Sequence, residues 1–227
     1  MSPKPVPRLR HAITAAAIWL TAISLFAQAQ PAATTAAAAE NYVHAQMETG
    51  LSILNNRSIS AAKRQADLRA FLESFMDIRR IALFSLGMAR RSATPQQTEQ
   101  FVDAFRAYVV ADLESLLRSY YAGQAAHVIG CSQDGPNSYR VEIALDNRPA
   151  SGQYSGNQPI DLFVQVLNEN GKFVITDLAA LGVWLSVHER DEVNGYLMET
   201  NGNFGGLVMR YRLRAERRQS DLPEEAR

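Results

Sequence analysis

Cysteine, tryptophan and histidine are all scarce in this chain of 227 residues, at one, two and four copies. A single thiol, Cys131, closes no disulfide within the chain, so stability must come from packing. Beyond residue 29 the histidines are His44, His127 and His188, and none stands in a nucleophile or metal motif. Neither sign of charge dominates, with 23 basic and 23 acidic side chains. After the first thirty residues no apolar run approaches the roughly 20 residues that a membrane-spanning helix needs.

The one long apolar run is at the start. In MSPKPVPRLRHAITAAAIWLTAISLFAQAQ, Lys4, Arg8 and Arg10 precede an apolar stretch from Ala12 to Phe26, and the small-residue pattern Ala27-Gln28-Ala29 follows. That is the layout of a secretory signal peptide. A permanent anchor is the rival reading, but the run is short for a span and a cleavage pattern follows it. Residues 1–29 are therefore read as a signal peptide removed after Ala29, which makes the mature chain a soluble periplasmic protein. Removal leaves 20 basic and 23 acidic side chains, a net charge of −3, and nucleic acid is an unsuitable partner for such a chain. The remaining 198 residues suit one domain with a real core. Residues 30–40, rich in alanine, are expected to form a disordered leader. The domain is expected over 41–214, with a polar tail over 215–227.

Periodicity then divides the domain. Val43, Met47, Leu51 and Leu54 fall at helical spacing, as do Leu68, Phe71, Leu72 and Phe75, and then Ile78, Ile81 and Leu83 to Leu86. Gly87 stops this first group. From Tyr139 the pattern alternates: Tyr139, Val141, Ile143 and Leu145 point one way, and Ile160, Leu162, Val164 and Val166 do likewise. With AAHVIGC before them and KFVITDL after them, joined by turns at QDGPN and NENGK, these segments predict a four-stranded antiparallel meander. SVHERDEVNGYLME and FGGLVMRYRLRAERR read as helices, broken at Asn201 to Gly206. Helices first and strands later indicate an α+β fold.

Between the two regimes lies TPQQTEQFVDAFRAYVVADLESLLRSYYAG. Thr94 suits an N-cap, Pro95 the first helical position and Gln97 the return bond of a capping box, and Gly123 suits the stop. On a helical wheel Phe101, Phe105, Tyr108, Val109, Leu113, Leu116, Leu117 and Tyr120 spread over about half the circumference, where a stripe somewhat wider than 100° covers one core face. Two accounts fit the surplus. Either the helix packs on the sheet and on further helices, or part of its apolar surface lines a cavity.

Chemistry-bearing residues offer little else. His127 and Cys131 are an even number of positions apart on a strand, but two ligands do not make a zinc site. Asp146, Asp161 and Asp177 are the carboxylates that an isomerase or dehydratase on a cone-shaped α+β fold would use, but Asp146 and Asp177 fall at strand ends and Asp161 on the face opposite Leu162 and Val164, so turn chemistry and solvation account for them more simply. Gly202, Gly205 and Gly206 do not follow a strand as a phosphate loop requires. The run from Arg210 to Arg218 suits either a solvated helix end or a surface for anionic headgroups or an acidic partner.

Four strings stand out together: Phe75-Met76-Asp77-Ile78 with the Leu86-Gly87 stop, Thr94-Pro95 with Phe101 and Ala104-Phe105-Arg106, Tyr121-Ala122-Gly123, and the passage from Asp177 to Gly182. Together they resemble the MlaC family, also called toluene-tolerance proteins, which are periplasmic phospholipid-binding auxiliaries of ABC transport. The likeness runs from about Asn41 to Arg214 and is also similar to the branch associated with hopanoid synthesis. It implies acyl chains held between helices and a cystatin-like, nuclear-transport-factor-like sheet. The implied partners are an inner-membrane ABC transporter complex and an outer-membrane lipid-handling component, with no cofactor, metal or catalytic group.

On this resemblance the expected lipid-binding residues are Phe101, Phe105, Tyr108, Val109 and Leu116 from the long helix, Val141, Ile143, Leu162 and Val164 from the sheet, and Trp184. Three positions depart from the family pattern. Phe173 in KFVITD stands where Trp is usual, Trp184 stands in Gly-Val-Trp-Leu where Ser is common, and Glu189 precedes Arg190 where a Tyr-Arg pair is usual. The rival classes are the small-molecule enzyme named above and a non-lipid periplasmic adaptor with a filled core.

Overall fold

The computed structural model describes residues 32–120, 126–145 and 161–220. Three helices come first: α1 (Ala32–Asn55), α2 (Ala61–Phe75) and α3 (Ile78–Ser85), followed by a 3-10 turn at Gly87–Arg91 and the long α4 (Pro95–Tyr120). Their starts obey capping chemistry. Ser60 accepts from Lys63 N at 3.2 Å, and Asp77 accepts from Arg80 N at 2.9 Å. At α4 the capping box closes both ways, Gln97 N on Thr94 Oγ1 at 3.1 Å and Thr94 N on Gln97 Oε1 at 2.8 Å.

The strands follow as β1 (Ala126–Gly135), β2 (Ser138–Leu145), β3 (Asp161–Glu169), β4 (Lys172–Ala180) and β5 (Val183–Trp184), in that spatial order and antiparallel throughout. The α+β architecture stands as expected, but the sheet has five strands among the described residues where four were expected. The extra strand has two residues, too few to show alternation. Leu181 and Gly182 join it to β4 with φ of 53° and 78°, which is the backbone of a type I′ hairpin turn. The β3–β4 turn uses the common pair for the same geometry, Asn170 and Gly171 at 55° and 90°.

Two boundaries differ from the sequence reading. The expected leader is largely helical: α1 begins at Ala32, and Ala39 is fully buried. Alanine has the highest helix propensity, and a run of small side chains lets a helix approach its neighbours closely; the low complexity of this stretch masked a packing face. At the other end α6 (Phe204–Ser220) continues five residues past Ala215, which is itself 4% exposed. The expected signal peptide over 1–29, the helix stop at Gly123, Asp146 and Ile160 lie outside the described residues. The side chains of Tyr120, Leu145 and Asp161 do as well.

α5 (Leu185–Glu199) and α6 complete the domain. Thr200 to Asn203 separate them, a shorter break than expected, because Gly205 and Gly206 lie inside the first turn of α6. Asn203 caps that turn by accepting from Gly206 N at 2.9 Å. A Cβ on Gly206 would lie 2.1 Å from the Tyr196 hydroxyl, so close packing of α5 on α6 accounts for this glycine. α6 runs beside α4 in the same direction, with Tyr211 against Phe105, Arg214 against Tyr108 and Arg218 against Asp112. Their interface holds the largest buried aromatics, Phe101, Phe105 and Tyr211, with ring centroids 5.2–5.6 Å apart.

Candidate functional site

The surplus apolar surface of α4 serves two different neighbours, one after the other along the helix. Phe101, Phe105 and Tyr108, in its first half, pack on Tyr211 of α6. From Val109 onward the stripe Val109, Leu113, Leu116 and Leu117 faces an open space, a cavity of about 330 Å³ between the helices and the sheet. This volume lies within the roughly 300–1,000 Å³ typical of small-molecule sites.

Helical and strand periodicity together explain how the cavity is lined. α1 contributes Val43, Gln46, Met47, Gly50, Leu51 and Leu54, positions that repeat every three or four residues along one helix face. α2 adds Phe71, Leu72 and Phe75. From the sheet come Ile143 of β2, Leu162, Phe163 and Val164 of β3, and Ile175 and Leu178 to Ala180 of β4. Val183, Leu185 and His188 complete the wall. A bulge opposite Gln165 and Val166 adds Thr176 to β4, which increases the local twist under this space.

Of the residues expected to line a cavity, Val109, Leu116, Ile143, Leu162 and Val164 share this one wall. Phe101, Phe105 and Tyr108 are in the α4–α6 interface instead. Val141 is fully buried where the sheet meets the helices and does not border the space. Trp184 is half-buried with the Arg140 guanidinium 5.6 Å from its ring centroid, and its neighbour Val183 takes the cavity position. The contributions of α1 and α2 were visible in the sequence as apolar periodicity, but nothing in that signal separates a cavity wall from a filled core.

Polar side chains in the wall are few: Gln46, Asp112 and His188. Burial raises the pKa of Asp112, opposed by Arg218 and Arg214, and Arg218 Nε reaches its Oδ1 at 2.6 Å. Behind this wall lies a buried charge network. The fully buried Glu189 carboxylate accepts from the Tyr211 hydroxyl at 2.5 Å and from Arg214 at 3.1 and 3.2 Å, and Arg214 Nη2 also donates to the Tyr108 hydroxyl at 2.6 Å. Desolvation and the nearby Glu189 charge hold both tyrosines in the protonated form. Glu189 thus points into the protein, and Arg190 stacks over Phe84 at 5.1 Å.

The candidate catalytic groups are placed differently. Asp177 accepts from the backbone N–H of Leu178 and Ser186 and from the Ser186 hydroxyl, which fixes the start of α5 on β4, and it is not in the cavity wall. Asp161 opens β3. Cys131 sits opposite Val141 in β1, and burial pushes its thiol up to about 11, which keeps it in the unreactive protonated state at neutral pH. No group of three or more His, Cys, Asp or Glu side chains spaced to hold a metal occurs among the described residues, and no described helix is long and apolar enough to cross a membrane.

No curated protein matches the chain. Among solved structures, the fold is similar to a phospholipid-binding protein from Ralstonia solanacearum determined in complex with a phospholipid. The two share 17% identity with a TM-score of 0.65 over 80% of this chain and 98% of the other. At that identity the likeness carries the fold alone. The sequence itself matches the family model of the MlaC protein over residues 45–210, a span that holds the long helix, the whole sheet and most of the cavity wall, and the chain belongs to the MlaC family.

Proposed function

We propose that this protein is a periplasmic phospholipid carrier that encloses acyl chains in the cavity between α1, α2, α4 and the sheet. It would pass its cargo between an outer-membrane component and an inner-membrane ABC transport complex. The observation that carries this reading is the wall itself, built almost entirely, among the described residues, of aliphatic and aromatic side chains on four helices and the sheet. Family membership and the fold shared with a phospholipid-bound protein support it.

The physics of transfer asks for such a wall. Exposing acyl chains to water costs about 0.8 kcal/mol per methylene, so a carrier must keep them dry between membranes. An apolar cavity also makes the step from bilayer to protein close to neutral. Cargo can therefore leave again, and the direction of transport falls to the membrane partners. Carriage needs no reacting group, and Asp112, the one carboxylate among the described wall residues, is engaged by Arg218. The enzyme reading has no comparable support: Asp177 stands outside the cavity wall and is engaged at the start of α5 by Leu178 and Ser186.

Mass spectrometry of an organic extract of the purified protein tests the proposal. Phospholipid at close to one molecule per chain is expected. An extract holding no lipid overturns the carrier reading in favour of an adaptor, and a polycyclic hopanoid in place of phospholipid would reassign the cargo.

A further inference from the structure

Next to the cavity, α4 and α6 enclose a second recess of about 240 Å³, walled by Tyr108, Arg214, Arg217 and Arg218. The two spaces meet at one ion pair: Asp112 belongs to the cavity wall, Arg218 to the recess, and they are 2.6 Å apart. Three guanidinium groups thus converge within one turn of α6, and two carboxylates answer them. Glu189 takes Arg214, and Asp112 takes Arg218. Arg217 has no ion-pair partner among the described residues.

Arginines near a helix C-terminus complement the helix dipole wherever they point. The dipole gives no reason for three of them to share a recess against the border of an apolar cavity. A planar guanidinium offers forked donors that match phosphate oxygens, and the cluster retains a net positive charge. The cavity wall turns polar at Gln46, Asp112 and His188, and of these Asp112 adjoins the recess, so a lipid whose headgroup leaves the cavity beside Asp112 meets the arginines.

We propose that the recess walled by Arg214, Arg217 and Arg218 takes the phosphate of the bound lipid's headgroup, so that the carrier selects phosphate-bearing lipids over neutral ones with the same chains. This rests on the carrier reading above. Arg217 supplies a charge that no described carboxylate pairs, and Arg218 links the phosphate position to the cavity border.

The test compares dioleoyl phosphatidylglycerol with dioleoylglycerol, which has the same chains and no phosphate, by native mass spectrometry of protein loaded from detergent micelles. The wild-type protein should favour the phospholipid by about tenfold or more, the size of a charge-assisted hydrogen bond. In Arg217→Ala/Arg218→Ala that ratio should fall to about threefold or less. Arg212→Ala, on the same helix outside the recess, should keep the wild-type ratio, and melting curves check that each variant is folded. Inorganic phosphate present during loading should lower the wild-type preference for phosphatidylglycerol and leave dioleoylglycerol binding unchanged.

Equal binding of the two lipids to the wild-type protein, or an unchanged ratio in the double variant, overturns the assignment. Inorganic phosphate that binds the lipid-loaded protein without changing the lipid preference would make the recess a free-phosphate site and overturn the headgroup assignment too. A protein that binds neither lipid overturns the carrier reading itself, which separates the two failures.

Discussion

Val141 and Val164 are directly opposed in the β2–β3 ladder, yet only Val164 borders the cavity; Val141 is fully buried against the helices. Opposed residues in an antiparallel pair point to the same face, so this pair marks where one face passes from filled core to open space. On one side Tyr139 and Val166 are 2% and 0% exposed, and on the other Ile143 and Leu162 line the cavity.

The two positions should therefore answer enlargement in opposite ways. Val164→Trp has space to grow into and should abolish lipid carriage while Tm stays near the wild-type value. Val141→Trp has none, and overpacking costs about 1–3 kcal/mol, which lowers Tm by roughly 2–4 °C per kcal/mol in a domain of this size. Lipid content by mass spectrometry and Tm by circular dichroism separate them. A large loss of Tm in Val164→Trp with lipid retained would show that its surroundings are filled.

The second prediction concerns the alanine-rich start of α1. Because Ala39 is fully buried against the core, Ala39→Glu would bury an unpaired carboxylate and should destabilise the protein by about 2 kcal/mol or more in urea unfolding. A mobile leader would tolerate the change within about 0.5 kcal/mol, as exposed sites do. The neighbouring Asn41→Glu, at an exposed position of the same helix, is the control.

What was legible in the sequence follows the range of each signal. Capping at Thr94 and Gln97 is local, and the structure forms both bonds. Alternation in β2 and β3 sorted Val141, Ile143, Leu162 and Val164 onto one face but carries no information on where the helices above it part. That depends on contacts far apart in the chain, such as Phe105 of α4 on Tyr211 of α6. Hence Phe105 and Val109, four residues apart on one stripe, meet an aromatic core and an open cavity. Glu189 departs from the family pattern in the sequence, but its partners Tyr211 and Arg214 stand 22 and 25 residues away, beyond any local signal.

That network yields the third prediction. Removing one member of a buried, hydrogen-bonded charge pair leaves its partner uncompensated and costs about 3–5 kcal/mol. Glu189→Ala should therefore be strongly destabilising in chemical unfolding, as should Arg214→Ala. The combination with Arg214→Met should recover part of the Glu189→Ala loss, because the stranded guanidinium is then gone. Losses that simply add would show that the residues do not act as a pair.

The last prediction follows from the burial of Asp112 at the cavity border. Desolvation raises its pKa above the ordinary 3.8, the Glu189 charge adds to the rise, and Arg218 and Arg214 oppose it without cancelling it. The sign is opposite to that of a carboxylate whose ion pair dominates. With the folded pKa raised, the native state holds the proton more tightly than the unfolded chain does, so this group's contribution to stability falls as pH rises from 3.8 through the folded value, and is level above it. Asp112→Asn removes the titration and keeps the shape. Its stability relative to the wild-type protein, from urea unfolding at a series of pH values, should rise across that window and then stay constant. A relative stability that instead fell with rising pH would mean that Arg218 dominates the site, with Asp112 stabilised as the charged half of an ion pair.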